Sequence, residues 1–135
     1  MPVLTFFFLE NQNAPVRTVM YFDSANETFV IERRKASLKN PDMNTAAEVA
    51  PHTLFTIADP VSGKEAEETL NVRVFWDNSV VEVFINGRTV ISTRIYLADE
   101  GGATIRFFAN AEEGKTPDAV LNEATLWDGL ETSRN

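Results

Sequence analysis

TLNVRVFW, from Thr69 to Trp76, places Leu70, Val72, Val74 and Trp76 on one side of an extended chain. Asn71 and Arg73 fall on the other side. A period of two is the mark of a half-buried strand, because successive side chains in extended backbone point to opposite faces. The same texture recurs along the chain. Short runs rich in aromatic and β-branched residues include VLTFFFL (Val3–Leu9), VRTVMYF (Val16–Phe22), TFVIER (Thr28–Arg33) and TLFTI (Thr53–Ile57). ATIRFFA (Ala103–Ala109) and AVLNEATLW (Ala119–Trp127) continue the series. Asn, Asp, Gly and Pro separate the runs, as in NQNAP and DSAN, and DPVSGKEAEE (Asp59–Glu68) reads as a charged turn region. Between Asp77 and Tyr96, DNSVVEVFINGRTVISTRIY reads as two strands around an Asn86-Gly87 turn. The stretch from Arg34 to about His52, with Pro41 and Pro51, reads as a loop crossing between sheets.

That count is about nine strands and no helix, which predicts an all-β fold: a two-layer antiparallel β-sandwich, jelly-roll-like in character. With 135 residues the chain makes one domain, 1–135. Residues 1–15 are expected to form an N-terminal strand and turn, and 129–135 a tail. A chain of this length buries roughly two-thirds of its unfolded surface, enough for a core without covalent staples.

The charge narrows the function. Twenty acidic and 12 basic residues give −8, a surface that repels phosphate backbones and anionic leaflets. No nucleic-acid or membrane partner is expected. No apolar run approaches the ~20 residues of a spanning helix. The N-terminus, MPVLTFFFLE, has no basic flank and no small-residue cleavage site, so no signal peptide is expected in this chain. There is no cysteine, and the one histidine, His52, stands beside Pro51 and reads as a surface loop residue. That is a poor ligand set, and no metal site is expected. Without a G-x-S-x-G elbow or a Gly-rich loop opening a helix, no catalytic nucleophile and no cofactor are predicted.

Glu82 is the residue that asks for an explanation, because it interrupts VVEVF. With a two-residue type I′ turn, Ile85 faces Arg88 and Glu82 faces Ile91. Glu82 then shares a face with Val80, Phe84, Thr89, Ile91 and Thr93. A carboxylate there loses solvation and must find donors, with Thr89, Thr93, Arg73 and Arg106 as candidates. It is either a catalytic acid or a structural carboxylate, and the structural reading outweighs the other because structural networks perturb acids as active sites do.

FWDNSVVEVFINGRTVISTRIY resembles the signature of the C-terminal β-sandwich module of glycoside hydrolase family 32, the invertases, inulinases and related β-fructofuranosidases. RTVMYFDSANETFVIER resembles the family's earlier hairpin and AEVAPHTLFTI its next strand, so the resemblance runs from about residue 16 to 128 and is closest to fungal members. Leu97 departs from it, since the family usually has proline after the tyrosine of the motif. The resemblance marks Asp77, Asn78, Ser79, Glu82 and Arg94 as signature residues with structural roles. It also implies a secreted protein. The family's chemistry belongs to an N-terminal five-bladed propeller with WMNDPNG-like, RDP and EC motifs, and none of the three occurs in these 135 residues. The expectation is therefore a non-catalytic module with no catalytic residues and an assembly or carbohydrate-associated binding role. A lectin-like protein and a secreted fungal factor acting on other cells, for example an immunomodulatory one, are the alternatives.

For a glycan, Tyr21, Tyr96 and Trp127 are the candidate stacking residues. Trp76 is weighed toward the core, because it shares a face with Leu70, Val72 and Val74. Asn26-Glu27-Thr28 is an N-glycosylation sequon in an expected hairpin turn. The Asp77–Tyr96 hairpin and VLTFFFL are apolar on both faces, whereas each sheet of a sandwich turns only one face to the core. The surplus apolar surface predicts self-association, most simply as a homodimer.

Overall fold

A computed structural model describes residues 3–11, 17–33, 44–95, 103–110, 114–115 and 119–129. Tyr96, Leu97, residues 1–2 and 12–15 of the expected N-terminal strand and turn, 34–43 of the crossing and 130–135 of the tail lie outside the described residues. The chain is all-β, and among the described residues there is no helix.

Among the described residues, eleven strands form three antiparallel sheets. The largest contains β1 (Val3–Asn11), β2 (Arg17–Asp23), β3 (Thr28–Arg33) and β4 (Glu48–Pro51) in sequence order. β10 (Ala103–Ile105) and β11 (Phe108–Asn110) both lie on the free side of β1, one at each end of it. A second sheet is the meander β7 (Val72–Asp77), β8 (Val80–Ile85) and β9 (Thr89–Arg94). β5 (Thr56–Ala58) and β6 (Glu65–Glu67) make a separate two-stranded arm.

The alternation explains where the core sits. Met20 and Phe22 from β2 and Phe29 and Ile31 from β3 meet Val81, Val83 and Ile85 from β8, with Ile91 and Ile95 beside them. These nine side chains form one buried cluster between the two larger sheets. Each such side chain contributes ~1.5–3 kcal/mol by leaving water, which is what holds the two layers together. Val72 and Val74 of β7 pack against the cluster from the inner side of that strand, as the period of TLNVRVFW requires.

Four sequence expectations change. β4 joins the large sheet beside β3, so the crossing to the small sheet follows Pro51 rather than ending there. The charged turn region contributes β6. ATIRFFA is two short strands interrupted at residues 106–107. Ala119–Trp127 forms no strand, and Val120, Leu121, Leu126 and Trp127 are exposed. Strand-like patterning supplies propensity, but a strand exists only where an edge pairs with it.

The β8–β9 turn corrects the register. Asn86 and Gly87 both have positive φ (48° and 62°), and Arg88 N–H donates to the Ile85 carbonyl at 3.0 Å. The turn nevertheless holds three residues, because Ile85 pairs with Thr89 and not with Arg88. One residue of slip exchanges the faces of β9 relative to β8. Thr89, Ile91 and Thr93 now share the inner face with Val81, Val83 and Ile85. Val90, Ser92 and Arg94 share the outer face with Val80, Glu82 and Phe84.

Candidate functional site

The outer face of the β7–β8–β9 sheet is built in three rows across the strands. Arg73, Phe84 and Val90 form one row, Phe75, Glu82 and Ser92 the next, and Asp77, Val80 and Arg94 the last. Phe75 and Phe84 meet edge to face, with centroids 5.8 Å apart and planes at 88°. Phe75 is 46 % exposed, Val80 40 % and Val90 54 %, while Phe84 is half-buried under its neighbours. Arg73, Asp77 and Arg94 stand at the corners of this face, and Glu82 stands at its centre. The charges of Arg73, Arg94, Asp77 and Glu82 sum to zero on a chain whose net charge is −8.

Glu82 lies in the middle of this face, opposite Phe75 and Ser92, and it is exposed. The expectation that it is a buried carboxylate served by Thr89 and Thr93 is overturned, because those threonines lie on the other side of the sheet. The role expected of Glu82 falls to Glu48. Its Oε1 accepts from Thr93 Oγ1 at 3.1 Å and from Arg33 Nη2 at 3.0 Å. Arg33 is buried; its Nε donates to the Ala46 carbonyl at 3.0 Å and its Nη1 to the Arg94 carbonyl at 3.1 Å. Nη2 also reaches the Ala46 carbonyl. Arg33 thus ties β3 and the approach to β4 to the end of β9, joining the two layers at one corner. The signal was present in TFVIER, whose period puts Arg33 on the face of Phe29 and Ile31.

Of the signature residues, Asp77, Asn78, Ser79 and Arg94 are gathered at one end of the sheet. Asn78 takes positive φ (55°) in the β7–β8 turn, and its carbonyl accepts from Trp76 Nε1 at 2.6 Å. Arg94 Nη1 donates to Ser79 Oγ at 2.9 Å, and Ile95 N–H donates to the Ser79 carbonyl at 2.8 Å. These contacts shape the turn and fasten the end of β9 to it. Trp76 stands on the inner side of β7, opposite Val81, but at the end of the sheet, and it remains 38 % exposed. Of the candidate sugar-stacking residues, Tyr21 and Trp127 lie among the described residues. Tyr21 is in the large sheet and donates its hydroxyl to Glu32 Oε1 at 3.0 Å. Burial, followed by the Glu32 carboxylate, pushes its phenol pKa up. Trp127 is 70 % exposed in the C-terminal segment.

Two further clusters escaped the sequence. His52, expected at the surface, is only 3 % exposed. Its ring meets Phe22 edge-on, its Nδ1 shares a 2.8 Å hydrogen bond with Thr89 Oγ1, and its Nε2 is buried without a partner among the described residues. Burial pushes its pKa down. Arg88 in the β8–β9 turn donates from Nη1 to Glu68 Oε2 (3.0 Å) and from Nη2 to the Thr53 carbonyl (2.8 Å). Its guanidinium sits 4.3 Å from the Phe55 ring centroid. Arg88, together with the Phe55 N–H, holds the Glu68 carboxyl down at about 2. Among the described residues no three His, Asp or Glu side chains gather as a metal site.

The one hydroxyl–imidazole pair among these clusters, Thr89 with His52, has its imidazole buried against Phe22. What the clusters share is anchoring: each fixes a turn or a corner around the sandwich. The chain matches the family described as glycosyl hydrolases family 32 C terminal over residues 4–128. It belongs to that family. A solved structure, the crystal structure of A. japonicus CB05, is 32 % identical, with a TM-score of 0.59. The match covers 81 % of this chain and 20 % of that one, so this family 32 C-terminal chain spans about a fifth of the length of its solved relative. No curated protein matches it.

Proposed function

We propose that this family 32 C-terminal sandwich is a non-catalytic binding and assembly module, and that the outer β7–β8–β9 face associates with a second copy of itself. The carrying observation is the set of Phe75, Val80, Phe84 and Val90 on one face, three of them 40–54 % exposed, with Glu82 at its centre and Arg73, Arg94 and Asp77 at its corners. Apolar patches rimmed by polar groups are the usual mark of an interaction surface. The charge balance selects the partner. Two copies carrying −8 each repel over most of their surface. This face is locally neutral and carries both signs, so a two-fold axis can set arginine of one copy against carboxylate of the other. The match to the family's C-terminal part supports the non-catalytic half of the reading. The extracellular placement implied by the resemblance belongs to the same proposal.

Sedimentation at micromolar concentration tests it. A dimer of the 15.1 kDa chain is expected, and Val90→Asp should return it to monomer with its thermal unfolding essentially unchanged. A wild type that sediments as a monodisperse monomer overturns the assembly reading. Release of fructose from sucrose or inulin by the pure protein overturns the non-catalytic one. The exposure of Trp127 favours a second, lectin-like reading, since a sugar face stacks on an aromatic ring. Binding on a glycan array that is lost in Trp127→Ala would establish it.

A further inference from the structure

Asn26-Glu27-Thr28 is the one Asn-x-Ser/Thr sequon in the 135 residues. It occupies the β2–β3 turn, where Ala25, Asn26 and Glu27 are exposed and Thr28 opens β3. The turn is built so that the Asn26 side chain can be substituted without dismantling it. Asp23 Oδ1 accepts from the N–H groups of Ala25 and Asn26 at 3.0 and 3.2 Å. Asn26 Nδ2 donates to Asp23 Oδ2 at 2.7 Å. A primary amide has two N–H hydrogens. Substitution removes one and leaves the other for Asp23. The far side of the turn is pinned through its backbone: Glu27 takes positive φ (50°), and its carbonyl accepts from His52 N–H at 2.8 Å. Neither contact uses the Asn26 side chain. The turn belongs to the large sheet, away from the outer face of the small one.

We propose that Asn26 is an N-glycan acceptor. The donor is a lipid-pyrophosphate-linked oligosaccharide. A bond forms from Asn26 Nδ2 to the anomeric carbon of N-acetylglucosamine, and the anomeric C–O bond to the pyrophosphate breaks. The lipid pyrophosphate leaves, and one Nδ2 proton passes to a base of the transferase. Thr28 supplies the hydroxyl that defines the sequon. Transfer to the emerging chain precedes folding, so the half-buried position of Thr28 in the folded sheet is no obstacle. A glycan here keeps the β2–β3 turn in water in any assembly and leaves Phe75, Val80, Phe84 and Val90 uncovered. The inference stands independently of the self-association reading.

The test is expression of the full chain behind a leader in a eukaryotic secretory host. The wild type should carry one glycan, removed by peptide N-glycosidase with conversion of Asn26 to aspartate, read by peptide mass spectrometry. Asn26→Gln and Thr28→Ala should abolish it, and Thr28→Ser should retain it. As a control for entry into the pathway, Pro60→Asn in the Asn26→Gln background writes a sequon onto the exposed turn before Ser62. An unmodified wild type beside a modified control overturns the proposal, as does a glycan on the wild type that persists in Asn26→Gln.

Discussion

Arg33→Met separates the corner that joins the two layers from the rest of the fold. Methionine keeps most of the apolar stem that Arg33 packs, so the change removes donors rather than volume. The Arg33 side chain is 6 % exposed, and its guanidinium serves the Ala46 and Arg94 carbonyls and Glu48 Oε1. Losing the donor to a buried group costs ~1–3 kcal/mol, and breaking a fully buried ion pair ~3–5. The Glu48 side chain is 41 % exposed and regains water, which discounts the pair. Ala46 and Arg94 are exposed residues whose carbonyls can regain water, and Glu48 is partly rehydrated, so the expected loss is about 1–3 kcal/mol, still a sizeable fraction of the ~5–15 kcal/mol stability of an ordinary domain. Glu82→Ala, by contrast, changes an exposed outer-face residue and should stay within ~0.5 kcal/mol. Urea unfolding of both variants with a common slope reads the difference directly. If Glu82→Ala costs more than Arg33→Met, the register and the assignment of Glu48 as the corner's carboxylate are wrong.

His52 makes stability pH-dependent. Its folded pKa lies below the ordinary 6.5, chiefly through burial, so the unfolded chain binds the proton more readily. Its contribution is therefore complete above about pH 6.5 and is lost as pH falls from there toward the lowered folded value. The urea midpoint should drop between pH 7.5 and 5.5, and the drop should shrink in His52→Gln; an equal drop in both proteins refutes this. Glu68 behaves likewise at lower pH, with its contribution complete above about 4.5 and falling away toward its folded value of about 2. A carbon-detected NMR titration that places Glu68 at an ordinary carboxylate value would refute the arrangement with Arg88. In Glu68→Ala, the Phe55 amide, which donates to Glu68 Oε1 at 3.0 Å, should exchange faster than in the wild type.

The sandwich was legible because it rests on a local property. Period-two runs bounded by Asn, Asp, Gly and Pro mark strands wherever one face is buried, and β2, β3, β7, β8 and β9 fall within a residue or two of the runs that announce them, save that β7 begins at Val72 rather than Thr69. Local propensity does not name partners. Ala119–Trp127 carries the pattern of a strand and is not one. Glu48–Pro51 is short, ends in a proline, and is a strand because β3 offers it an edge.

Glu82 shows how one unpredicted residue can reverse a site. Asn86-Gly87 correctly marks a turn with two left-handed residues, and a two-residue loop is the economical reading of it. The third residue, Arg88, belongs to the turn while its side chain binds Glu68, 20 residues earlier, and the Thr53 carbonyl, 35 residues earlier. Those partners are invisible to any local reading of the hairpin. Adding Arg88 to the loop turns Thr93 and Ile91 inward and Val90 and Arg94 outward. The inward threonine then finds a different carboxylate, Glu48, which arrives on β4 with Arg33 already bound. The outward set leaves Glu82 beside Phe75 on an apolar, charge-balanced face. The surplus apolar surface inferred for the hairpin survives the slip with a changed membership: Val80 and Phe84 stay in it, Ile91 leaves it for the core, and Val90 and Phe75 complete it. A carboxylate at the centre of such a face argues against its closing as a dry hydrophobic interface. It fits one in which each copy's Glu82 meets an arginine across a two-fold axis, so Glu82→Arg should weaken association far more than it changes the stability of the monomer.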